Sequence, residues 1–79
     1  MLSFVISLSS MEAVRRFVGI TGKYPVDVDL VSGRYTVDGK SIMGIFSLKL
    51  DKPVSVQIYE DAHPAQAKEL AAELEEFRV

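Results

Sequence analysis

An α+β fold, with a four-stranded sheet and three helices over one of its faces, is what this sequence predicts. Three observations carry that expectation. Apolar and polar residues alternate in short runs, apolar residues recur at helical spacing in others, and the runs are ordered β-α-β-β-α-β-α.

Leu2, Phe4, Ile6 and Leu8 alternate with Ser3, Val5 and Ser7, so the first run is a strand with one apolar face. Ser9 and Glu12 then stand at capping-box spacing, which predicts a helix start there. Met11, Val14, Phe17 and Val18 form the expected apolar stripe of that helix, with Arg15 and Arg16 toward its edges. Gly22 is the expected residue just past its end, and Pro25 prevents continuation.

Val26, Val28 and Leu30 alternate with Asp27 and Asp29 in a second strand. Ser32-Gly33 is a turn signal, and Arg34 to Val37 is a third strand that should pair with the second as a hairpin. Ser41 is a good N-cap for a short helix through Ile42, Met43, Ile45, Phe46 and Leu48, although Gly44 lies inside it. Pro53 opens a fourth strand, where Val54, Val56 and Ile58 alternate with Ser55, Gln57 and Tyr59. Pro64 suits a first-turn position, and Ala67, Leu70, Ala71, Leu74 and Phe77 mark the last helix. The strands carry polar residues opposite their apolar face, so the uncovered face of the sheet should be solvated.

With 79 residues, the chain is near the lower end for a self-supporting core, and one domain over 1–79 is expected. Hydrophobic residues make up 48% of it, enough for a packed globule. The net charge of −2 argues against general nucleic-acid binding, which needs a basic face. There is no cysteine, hence no disulfide framework, thiolate nucleophile or cysteine-based zinc site. No run approaches the ~18 apolar residues of a membrane span. The N-terminus has no basic region or cleavage site of a signal peptide, so a soluble, cytoplasmic protein with no membrane partner is expected.

Little in the sequence offers covalent chemistry. Ser9 and Ser10 read as caps, because no motif places an Asp/His pair to activate them. His63 is the only histidine, and one histidine makes a poor metal site. Asp27 and Asp29 read as solvated. The expectation is a protein that is not an enzyme and takes no metal or cofactor.

The segment Lys40-Ser41-Ile42-Met43-Gly44-Ile45-Phe46-Ser47-Leu48 adds something more specific. It resembles the regulatory-serine motif of the HPr family, the phosphocarriers of the bacterial sugar phosphotransferase system. Lys23-Tyr24 and the strand from Val26 to Leu30 keep that family's spacing to the motif, and the element order agrees. The resemblance covers essentially the whole chain and implies an HPr-like open-faced sandwich with an antiparallel sheet.

Working members of the family carry G-[LI]-H-A-R-P at the first helix. Aligned without gaps from Ser41, this chain has Leu8-Ser9-Ser10-Met11-Glu12-Ala13 there, so Ser10 occupies the phosphorylatable histidine's position. Phosphoryl transfer of that kind needs an exposed imidazole at a helix N-terminus. The resemblance therefore implies a non-catalytic regulatory or interaction protein. The alternative is a phosphocarrier component that uses a non-standard acceptor such as Ser10, or that acts with a histidine-bearing paralogue. By the same resemblance, Ser41 is a regulatory phosphorylation candidate. Ile42, Met43 and Phe46, flanked by Arg15 and Arg16, are the expected docking surface. The implied partners are phosphotransferase-system enzymes, a serine kinase or a transcription regulator.

Overall fold

The computed structural model describes residues Met1–Val79. Its elements are β1 (Leu2–Ile6), α1 (Met11–Thr21), β2 (Asp27–Ser32), β3 (Tyr35–Asp38), α2 (Ile42–Phe46), β4 (Val54–Tyr59) and α3 (Pro64–Glu73), followed by a 3-10 turn over Leu74–Phe77. The strands form one antiparallel sheet in the order β1-β4-β2-β3. β4 is inserted between β1 and β2, which places the last strand at the centre of the sheet.

The register explains the two faces. Phe4 pairs with Val56 and Val56 with Leu30, and Ile58 lies between Leu2 and Val28. These side chains share the covered face, because alternate residues point to opposite sides. Ser3, Gln57, Asp29 and Asp38 form a corresponding row on the open face. The helices lie on the apolar side. Val14 and Phe17 of α1, Ile45 of α2, and Ala67 and Leu70 of α3 join Ile6, Val28, Leu30, Val56 and Ile58 in one buried cluster.

The β2–β3 hairpin closes with a two-residue turn, Gly33-Arg34, between the paired Ser32 and Tyr35. Gly33 has φ +59 and no other residue has positive φ, the arrangement of a II′ turn, which glycine at its first central position permits. The hairpin was expected; β2 and β3 begin one residue later than the alternation suggested.

Several local expectations need correction. The cap of α1 is Ser10, whose hydroxyl accepts from the Ala13 amide at 3.0 Å, and not Ser9. Met11 is 60% exposed. The stripe is centred on Val14, Phe17 and Thr21, and at 3.6 residues per turn Met11 lies roughly a quarter-turn from it. Gly22 is a right-handed C-cap with φ −66, so the helix end does not use glycine's freedom there. The last helix tightens into a 3-10 turn, which still brings Leu74 and Phe77 into the core, because i and i+3 lie on one side in either helix.

Candidate docking site

Two short helices and the ends of the sheet define the surface that the sequence points to. The chain leaves β3 at Asp38, crosses Gly39 and Lys40, and enters α2 through Ser41. The Ser41 hydroxyl accepts from the Gly44 amide at 3.1 Å, satisfying one free donor of the first turn. The Gly39 amide donates to Val28 O at 2.7 Å, and a β-carbon at Gly39 would lie 2.6 Å from Val28 Cγ1. Glycine is therefore required where the entry to α2 presses against the sheet.

Thr21, at the end of α1, donates its buried hydroxyl to Gly39 O at 2.9 Å. The Lys40 ammonium donates to Tyr24 O at 2.6 Å. These bonds fix the start of α2 beside the end of α1. The two helices are packed against each other.

On this frame Ile45 is fully buried and Ile42 partly so. Met43 is 77% exposed and Phe46 42% exposed. Met11, Arg15 and Val18 share a stripe of α1 at i, i+4, i+7 spacing. Arg16 faces the other flank of the stripe, so this row lies on the α2 side. Arg15 is exposed and enters no ion pair.

Arg16 belongs elsewhere. It pairs with Glu76, and its guanidinium lies 5.7 Å from the centre of the Phe77 ring. Phe77 itself meets Phe17 edge-to-face at 5.7 Å. Arg16 thus binds α1 to the C-terminal turn, while Arg15 faces the patch. Met11 stays outside the core and adds an exposed apolar side chain at the start of α1. Its signal was its offset from the Val14–Phe17–Thr21 stripe.

The remaining singled-out residues lie apart. Ser10 caps α1 at the end of the sheet where β1 finishes and β4 begins. His63 follows the other end of β4 and precedes Pro64 at the head of α3. A strand of six residues separates those ends, roughly 17 Å at 3.3 Å per residue. The side chain of His63 makes no hydrogen bond at the cap. Asp27, Asp29 and Asp38 line a shallow depression on the open face with Tyr59, whose hydroxyl donates to Asp29 at 2.9 Å. That bond pushes the Tyr59 phenol above its usual range. No group of His, Cys, Asp and Glu is arranged to hold a metal ion, and no helix is long and apolar enough to cross a membrane.

The fold of this chain recurs in solved structures. The crystal structure of HPr-C-His from Thermoanaerobacter tengcongensis aligns with a TM-score of 0.74 at 23% identity, over 96% of this chain and 92% of that one. A phosphocarrier protein HPr from Bacillus anthracis str. Ames aligns with a TM-score of 0.73 at 20% identity, over 99% and 96% of the two chains. At those identities the likeness is one of fold, and it defines the class: an HPr-type open-faced sandwich. No curated protein matches the chain by sequence. A family model described as the PTS HPr component phosphorylation site matches residues 10–78, and the chain belongs to that family. Proteins of the family are phosphocarriers that interact with other proteins of the phosphotransferase system.

Proposed function

We propose that this chain is a non-catalytic regulatory or interaction member of the HPr family, docking protein partners through α2 and carrying no phosphoryl group on histidine. The observation that carries the reading is the exposed pair Met43 and Phe46 on the segment most similar to the family's motif. A thioether beside an aromatic ring, rimmed by Arg15, suits an adaptable apolar contact with a charged edge.

Ser10 stands where the family's histidine is expected, and a serine cannot form a phosphoramidate. The hydrogen bond of the Ser10 hydroxyl is to the Ala13 amide, and no general base is paired with it. His63 lies at the opposite end of the sheet. These facts favour docking over transfer through an unusual acceptor.

Ser41 is the proposed point of regulation. Its oxygen already accepts from the Gly44 amide, so a phosphate there could take over the cap while placing a dianion beside Met43. The partners in this reading are phosphotransferase-system proteins, a serine kinase or a transcription regulator, met in a bacterial cytoplasm.

The test is calorimetric titration of a purified phosphotransferase-system partner into wild type, Met43→Asp and Ser41→Asp, with thermal melts in parallel. Met43→Asp should weaken binding about tenfold or more, as for an interface hot spot, while still folding. Unchanged binding by a folded Met43→Asp protein would rule the α2 surface out as the docking site.

A further inference from the structure

A second surface feature lies apart from the exposed face of α2. Between the β2–β3 turn and the segment leaving α2 is a depression of about 360 Å³. Ser32, Arg34 and Tyr35 line it from the turn, Ser47 and Lys49 from the α2 exit, and the buried Leu48 forms part of its wall. It lies at the end of the sheet opposite the Asp27–Asp38–Tyr59 depression, since Ser32 and Tyr35 close the hairpin and Asp29 pairs with Asp38 toward its open end.

The chemistry of this lining is one-sided. No carboxylate contributes to it. Arg16, Lys23 and Arg78 are held in ion pairs, and Lys40 is bonded to Tyr24 O. Arg34 and Lys49 have no partner of either kind and are both exposed. The hydroxyls of Ser32 and Tyr35 make no hydrogen bond, and Tyr35 is 71% exposed. Ser47 differs, because it donates inward to Gly44 O at 2.5 Å. Four uncommitted donor groups, two of them cationic, therefore border one depression with no anion to neutralise them.

We propose that this depression is a binding site for a phosphate group. A guanidinium presents a planar fork to two oxygens, and an ammonium acts as a point charge. Donors on two separate segments call for a ligand with several acceptor oxygens pointing apart, which a tetrahedral phosphate has and a carboxylate lacks. The site borders Phe46 through Ser47 but includes none of the α2 docking residues, so it stands independently of the docking reading.

The experiment is an amide-resonance titration of the ¹⁵N-labelled chain with sodium phosphate, against sodium chloride and sodium acetate at matched ionic strength. Phosphate should give saturable shifts at residues 32–35 and 47–49, while chloride and acetate should not. Replacing Arg34→Gln and Lys49→Gln together should weaken phosphate binding about tenfold or more with an unchanged melting temperature, since both side chains are exposed and unbonded. Lys49→Gln alone should give an intermediate loss. Met43→Asp should leave the response intact, which separates this site from α2. O-phosphoserine offered in place of phosphate identifies the source: tighter binding assigns an esterified phosphate, and equal binding assigns the free ion. Equal shifts with chloride or acetate, or full binding by the double variant, would overturn the proposal.

Discussion

Ser10 and Ser41 do the same physical work at the heads of two helices, each accepting from the amide three residues on. Such caps contribute roughly 0.5–2 kcal/mol, so Ser10→Ala should lower stability by that amount in chemical denaturation. Ser9→Ala, which removes no cap, should stay within about 0.5 kcal/mol of wild type. The reverse result would restore Ser9 as the cap. Ser41→Asp should preserve stability, because aspartate is an equally good cap, and this makes it a clean mimic for the binding test. The residue types predicted a cap in both places but could not choose between adjacent serines; the extended backbone at Ser10, with φ −146 and ψ 161, makes the choice. Periodicity placed Arg15 and Arg16 at a helix edge, and the family resemblance set both beside α2. Which of the two faces α2 depended on Glu76, sixty residues away in sequence.

At the scale of elements, α2 is too short to hold itself and is positioned by what surrounds it. Gly39 is the tightest of these points. Gly39→Ala should cost about 1–3 kcal/mol as an overpacked site, because the added methyl would meet Val28. A cost near zero would mean that the α2 entry gives way freely. On the other flank, Glu73 of α3 receives Lys23 at 2.8 Å and the Tyr24 hydroxyl, clasping the end of α1 to α3. The Lys23 and Tyr24 hydrogen bonds hold the Glu73 carboxyl below its ordinary value of 4.5. The same clasp pushes the Tyr24 phenol from 10.0 up to about 12, chiefly through the bond to Glu73. A lowered carboxylate stabilises the fold above its unfolded value and loses that effect as pH falls through the folded one. A raised phenol stabilises below its unfolded value and loses the effect as pH rises through about 12. The stability gap between wild type and Glu73→Gln should therefore be widest between these limits and shrink toward both. A gap independent of pH would show that the clasp carries no charge-linked stability. None of it was visible in the sequence, because Lys23 and Glu73 stand 50 residues apart.

For the molecule as a whole, the periodicities made the element order legible, since each run had to bury one apolar face. The strand order β1-β4-β2-β3 depends on contacts between distant segments, which local pattern does not encode. The covered face was nonetheless largely predictable. Leu70, Leu74 and Phe77 join Ile6, Val28, Val56 and Ile58 in the core, with Phe4 packed at its margin. Leu74 is fully buried, so Leu74→Ala should cost ~2–5 kcal/mol, and a loss below about 1 kcal/mol would contradict its place in the core. The exposure of Met43 and Phe46 on α2 was legible because Ile42 and Ile45 suffice to hold so short a helix to the sheet. Met11 is apolar yet exposed, and the signal for this was its offset from the Val14–Phe17–Thr21 stripe and not its residue type. The proposed function requires that this HPr-family chain carry no phosphoryl group on an imidazole. The most direct test is intact-mass measurement after incubation with phosphoenolpyruvate and the phosphotransferase system's phosphoryl-donating enzymes. An unchanged mass is expected; gain of one phosphate, mapped to His63 or to Ser10, would overturn the proposed function.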